Sequence, residues 1–118
     1  MITPDALWTE ALRQLDQAET EAARRVAIAT LYYAIYHSAG SSLGLDTSAS
    51  DSNHERLHGL LAGSREANHR RAAQRYRNLR TLRVRSHYYL HAEVSEGHVE
   101  LALSHARAVR ALLRFEPA

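Results

Sequence analysis

The chain has 118 residues, 45% of them hydrophobic, and no cysteine. That length and apolar content suit a single domain over residues 1–118 and argue against a disordered chain, and the missing cysteine excludes a disulfide framework and a thiol nucleophile. The net charge is only +2, from 15 arginines and no lysine, but it is uneven: residues 1–66 sum to −4, residues 67–92 carry seven arginines and no acid, and residues 93–118 sum to −1.

Thr3 followed by Pro4 predicts the start of a first helix, because a threonine hydroxyl accepts from the first free amides and proline fits the first turn. Leu7, Ala11 and Leu15, with Trp8 and Leu12 alongside, form its apolar stripe. A second helix is expected from about residue 20 to about residue 39. Its stretch 26–36 is apolar nearly all round, as in a helix at the middle of a bundle. Gly40 and Gly44 are expected to break it, and the Ser, Gly and Asp of residues 41–52 read as a loop. Ser52 and Glu55 fit a capping box opening a short third helix, with Leu57, Leu60 and Leu61 inward and Gly63 at its end. Asn68 is placed to cap a fourth helix. Ala72, Tyr76, Leu79, Arg83, Ser86 and Leu90 share one face of it, flanked by Leu82 and Tyr89. Ser95 and Glu96 open the last helix, with Val99, Ala102, Ala106, Val109 and Leu113 as its stripe. The expected architecture is all-α, a four- to five-helix up-and-down bundle. No apolar run is long enough for a membrane span and the N-terminus does not read as a signal peptide, so a cytoplasmic protein is expected.

The stretch Tyr32-Tyr33-Ala34-Ile35-Tyr36-His37 resembles the Tyr-Tyr-Ala-x-Phe-His helix of many prokaryotic HEPN domains. His54 stands where that branch often has a histidine. Leu82-Arg83-Val84-Arg85-Ser86-His87-Tyr88 is similar to its Leu-Arg-x-x-Ala-Asp-Tyr, and Val94-Ser95 precede an Ala/Leu-rich helix. The resemblance covers roughly residues 20–113. It implies a HEPN-like helical bundle that usually forms a homodimer. In the ribonuclease members, Arg-x4–6-His motifs of two protomers meet at the dimer interface and cleave RNA without a metal. Some members are toxins paired with a small nucleotidyltransferase antitoxin, and in those a tyrosine two residues after the histidine can be adenylylated. One departure matters: the branch usually has Asp where His87 stands, so His87 brings this chain closer to the ribonuclease pattern.

Arg80 and His87 fit Arg-x6-His, with Tyr89 at the offset of the modified tyrosine, and Arg85 and His91 fit Arg-x5-His as a second solution. A histidine near its ordinary pKa can move the proton of a ribose 2′-hydroxyl, and an arginine can hold the phosphate. About three such spacings are expected by chance in this composition, so the position after the Tyr-Tyr-Ala helix gives the motif its weight. The plainer reading makes His87 and Tyr89 packed residues and Arg80 a solvated one.

Arg70, Arg71, Arg75, Arg77, Arg80, Arg83 and Arg85 fall within 16 residues, interleaved with Tyr76, Tyr88 and Tyr89. Such a segment can attract RNA phosphates and stack unpaired bases. Alternatively it pairs with the acidic first helix or an acidic partner. Arg83, on the apolar stripe, is expected to be buried and paired.

His54-Glu55-Arg56-Leu57-His58 matches His-Glu-x-x-His, in which two histidines one turn apart bind zinc and the glutamate is a general base. Against it, Glu55 has a capping role, Gly59 follows the second histidine, and no strand is expected to align a peptide. Glu66, His69 and Glu93 are the candidate third ligands. His37 reads as a hydrogen-bonded core or interface residue.

The leading expectation is therefore a HEPN-like, RNA-associated domain, possible as a metal-independent endoribonuclease toxin with no cofactor. It would use Arg80 and His87 assisted by Arg83 or Arg85, bind RNA through Arg70, Arg71, Arg75, Arg77 and Tyr76, and carry a modifiable Tyr89. A non-enzymatic HEPN domain that binds a nucleotidyltransferase partner or nucleotides comes second, and a small zinc hydrolase using His54 and His58 third.

Overall fold

The computed structural model describes residues 1–48 and 53–114. They form five helices, α1 (Pro4–Asp16), α2 (Glu21–Ser42), α3 (Asn53–Ala62), α4 (Ala67–Tyr88) and α5 (Glu96–Leu113), with no strand among the described residues. The chain is thus an all-α helical bundle, and no helix among the described residues is long and apolar enough to cross a membrane.

Three of the helix starts follow from side-chain caps. Thr3 Oγ1 accepts from the Ala6 amide at 3.0 Å, and Thr20 Oγ1 from the Ala23 amide at 3.1 Å. Ser95 accepts from the His98 amide, and His98 Nδ1 accepts from the Ser95 amide at 2.9 Å, so a histidine takes the place usually held by Glu or Gln in a capping box. Asn68 does not cap α4: the N-cap is Glu66, without a side-chain cap bond. Ser64 organises that entry instead, its hydroxyl meeting the Glu66 amide at 3.1 Å and His69 Nδ1 at 3.0 Å. Ser52, half of the expected capping box on α3, lies outside the described residues.

Helix α2 is the centre of the bundle and packs against each of the other four. Ile28, Leu31, Tyr32, Ile35 and Tyr36 are buried in it, each apolar side chain stabilising the fold by about 1.5–3 kcal/mol. It runs to Ser42, beyond the expected end near residue 39, because Gly40 is accommodated inside it. Gly40 is buried, and a Cβ there would collide with Thr47 Cγ2, so the loop after the helix folds back across a position that only glycine leaves open. The chain actually turns at Gly44, in the left-handed region at φ 72°.

Two apolar expectations fail at the edges. Leu60 is exposed because the buried arc of α3 is set by Asn53, His54, Leu57 and Leu61, and Leu60 falls to its side. Leu90 is exposed because α4 stops at Tyr88 and the stripe does not continue through it. The acidic α1 packs against α2 rather than α4. Its acids are used locally or on α5: Glu10 pairs with Arg13, which holds its carboxyl down at about 2, and Asp5 lies 3.8 Å from the buried Arg110. The basic helix is therefore not neutralised by α1.

Candidate functional site

The Tyr-Tyr-Ala-x-Tyr-His stretch of α2 builds an aromatic cluster where α2, α3 and α4 meet. Tyr32 OH lies 2.6 Å from Tyr76 OH and is hydrogen-bonded to His54 Nδ1, while Tyr76 OH donates to the His54 carbonyl at 3.2 Å. The donors can all be satisfied in one order: His54 Nδ1–H to Tyr32, Tyr32 to Tyr76, Tyr76 to the His54 carbonyl. Tyr36 stacks on the His54 ring with centroids 4.1 Å apart. Burial pushes the Tyr32 hydroxyl up to about 12 and that of Tyr76 up as well, so both remain neutral donors. His37, one position on, shares a 2.6 Å bond with Thr47 Oγ1, and burial lowers its imidazole from the ordinary histidine value.

Arg83 of α4 sits against this cluster. It is 7% exposed, and its guanidinium carbon lies 5.0 Å from the Tyr32 ring centroid, 5.7 Å from Tyr33 and 5.9 Å from Tyr88. It is buried as expected but not paired as expected: among the described residues no carboxylate meets it, and its Nε has no hydrogen-bond partner. Its contact with the exposed Tyr88 places the head group at the margin of the core. His87, one helical turn on, is exposed, and partial desolvation followed by the Arg83 charge lowers its imidazole from the ordinary histidine value.

Arg80 is not free. Its Nη1 is ion-paired with Glu55 of α3, which lowers the Glu55 carboxyl. The Glu55 side chain is thus directed to α4. His58, one turn along α3, is held down chiefly by burial and next by Arg77. Arg77, Arg80, Thr81, Val84, Tyr89 and Glu55 line a cleft of about 480 Å³.

The seven arginines do not form one face. Arg70 donates to the Ser64 carbonyl at 2.8 Å and Arg71 to Asn68 at 3.3 Å, both at the start of α4. Arg75 points to α5, where His105 Nδ1 accepts from it at 3.2 Å. Arg85 donates from Nε to the Glu93 carbonyl at 2.8 Å, and His91 lies beyond the helix, so the second Arg–His pair does not share a helix face. Tyr76 is 0% exposed and offers no ring face to a base, which overturns its assignment to RNA binding.

Sequence reasoning passed over Arg25. It is buried on α2 and donates to the Ser86 carbonyl at 2.9 Å, to those of Arg85, Tyr89 and Leu90 at 3.2–3.4 Å, and to that of Ala92. These are the last carbonyls of α4 and the turn after it, which a helix end leaves without intrahelical partners. The nearby Glu21 accepts from the Val94 amide at 3.2 Å, and Arg24 donates to the Val94 carbonyl at 2.9 Å. Glu21-x-x-Arg24-Arg25 therefore fixes residues 85–94 from below. The only trace of it in sequence is a charged triplet opening an otherwise apolar helix.

A zinc site finds little support. His54 is buried against Tyr36 and bonded to Tyr32, Glu55 is committed to Arg80, and no three His, Cys, Asp or Glu residues come together among the described residues. A catalytic zinc needs three protein ligands.

No protein-family model, no curated protein and no solved structure matches the chain, so a functional reading rests on this geometry and on the motifs that build it.

Proposed function

We propose that the chain is a HEPN-like RNA-cleaving domain in which His87 is the general base and Arg83 the phosphate anchor. The observation that carries this reading is one turn of α4: a buried guanidinium without a carboxylate, followed one turn on by an exposed imidazole. Neutral His87 removes the proton of a ribose 2′-hydroxyl, and the oxygen attacks the adjacent phosphorus. The P–O5′ bond breaks, leaving a 2′,3′-cyclic phosphate. Arg83 carries the charge that develops on the phosphoryl oxygens. The leaving 5′ oxygen takes its proton from a second acid, which the HEPN resemblance assigns to the same histidine of a second copy of the chain. Tyr88 and Leu90, exposed beside His87, supply apolar surface for that copy. Arg80 serves as a second phosphate contact once Glu55 is displaced. The resemblance also supplies a regulator, a nucleotidyltransferase partner acting on Tyr89.

The test is cleavage of single-stranded RNA in the presence of EDTA, with the 3′ ends analysed. Wild type is expected to leave 2′,3′-cyclic phosphate, and His87→Ala and Arg83→Met are expected to lose cleavage while keeping the helical signal. Cleavage retained in both variants refutes the assignment. RNA bound but never cut selects the non-enzymatic reading.

A further inference from the structure

The cleft lined by Glu55, Arg77, Arg80, Thr81, Val84 and Tyr89 includes neither Arg83 nor His87, and of its lining the cleavage step uses only Arg80. Its volume of about 480 Å³ falls within the range of small-ligand clefts, roughly 300–1,000 Å³. Two arginines and one glutamate give its lining a formal charge of +1 (+2 − 1), the complement of one phosphodiester. Arg77 is exposed and, among the described residues, makes no hydrogen bond or ion pair with its side chain. Tyr89 contributes an aromatic ring that is 51% exposed.

The main chain that carries that ring is held in place. The Tyr89 amide donates to the Arg85 carbonyl at 3.2 Å, and its carbonyl accepts from the Ala92 amide at 3.0 Å and from Arg25 at 3.3 Å. With the main chain fixed in this way, only the ring's own side-chain torsions are left to order when a base stacks on it, which keeps the entropic cost of stacking small. Arg80 at the floor of the cleft is occupied by Glu55. A phosphate entering the cleft competes with that carboxylate for the guanidinium.

The geometry points to a nucleotide subsite for single-stranded RNA: the face of Tyr89 stacks an unpaired base, Arg77 and Arg80 take its phosphate, and Glu55 is the internal competitor that phosphate displaces. This rests on the RNA reading above and deepens it by naming where the strand is held next to the cut. It assigns a role to the ring of Tyr89 rather than to its hydroxyl.

Fluorescence anisotropy at low salt with two labelled probes tests it: a uridine decamer and a ribose–phosphate decamer without bases. Tyr89→Ala should weaken uridine-decamer binding by on the order of tenfold and leave the base-free probe unchanged, as loss of one stacked base requires. Tyr89→Phe should bind like wild type. Arg77→Ala should weaken both probes, and Glu55→Gln should tighten both by a few-fold, roughly the effect of removing one charge near a phosphate at low salt. If wild type binds the uridine decamer but Tyr89→Ala binds equally well, the subsite is overturned and the RNA reading survives. Tyr89→Phe as weak as Tyr89→Ala also overturns it, by moving the interaction to the hydroxyl. No binding of either probe by wild type overturns the subsite together with the RNA reading.

Discussion

Arg25 offers the most quantitative check on the geometry. Replacing it with Ala removes a buried side chain that serves five main-chain carbonyls between Arg85 and Ala92. Three of those bonds are 3.2–3.4 Å long and partly exposed, so water can replace them at small cost. The other two, to Ser86 and Ala92, are closer, and the Ser86 bond is fully buried. Hydrogen bonds from a charged donor contribute about 1.5–3 kcal/mol each, so loss of the two should cost about 3–6 kcal/mol. For a domain of this size each kcal/mol moves Tm by roughly 3–6 °C, which predicts a fall on the order of 10–35 °C. Circular dichroism melts measure the global loss, and amide hydrogen exchange measures residues 86–94 directly. Arg25→Lys should recover part of Tm but not the protection at Tyr89 and Ala92, because one ammonium cannot reach carbonyls spread over eight residues. A melt within about 3 °C of wild type for Arg25→Ala, less than 1 kcal/mol at this size, refutes the clamp.

Tyr76→Phe removes the hydroxyl that closes the Tyr32–Tyr76–His54 ring of hydrogen bonds, and should cost about 1–3 kcal/mol in a denaturant melt with little change in m; an unchanged midpoint would show the network to be dispensable. Gly40→Ala drives a methyl group into Thr47 and should break the Thr47–His37 bond, at a cost of about 1–3 kcal/mol despite the better helix former. An equal or higher Tm would sink that packing argument. The pH dependence has a defined sign. His37, His58, His87 and His105 are all held below the ordinary imidazole value, and Glu21 and Glu55 below the ordinary carboxylate value. In each case the unfolded chain binds the proton more readily, so stability is lost as pH falls, first through the histidine range near 6.5 and then through the carboxylate range. Denaturant midpoints at pH 7.5, 6 and 4.5 should decrease in that order, and a maximum near pH 6 would contradict the assigned directions.

How far the sequence alone could reach depends on whether an interaction is local. Helix existence was readable because caps and apolar stripes repeat within a few residues: Thr3 and Ser95 cap where their hydroxyls suggest. The centrality of α2 was readable because a helix apolar on all sides has nowhere else to go. Gly40 misled because a glycine that stops a helix and a glycine that lets a loop cross it look the same in one dimension. Tyr76 misled because periodicity placed it on the inner face of α4 while charge suggested RNA, and burial decided the matter. Glu55 has a local partner in the capping-box pattern, yet its carboxylate crosses to Arg80, 25 residues away. Arg25 left only the charged triplet as a trace, because the groups it serves are main-chain carbonyls 60–67 residues on, which no side-chain pattern encodes.

The same distinction bears on the arginine–histidine pair. Counting along the chain favoured Arg80 and His87, but seven residues of helix separate their α-carbons by about 10 Å along the axis, and Arg80 has a carboxylate. Arg83 is one turn from His87 and has none. Folding gives little reason for a cation there. The flanking tyrosine faces return about 0.5–2 kcal/mol, while an enclosed Nε without a partner costs about 1–3 kcal/mol. An apolar side chain of similar volume would serve the core as well or better, as replacement of buried charges by packed hydrophobic groups commonly shows. Arg83→Met is therefore a test in two readouts. A core residue replaced in this way should leave Tm equal or higher, and an anion-holding residue should lose RNA cleavage in the same variant. Together those outcomes mean that the charge is kept for what it binds. A lowered Tm with full cleavage means that it is kept for the fold.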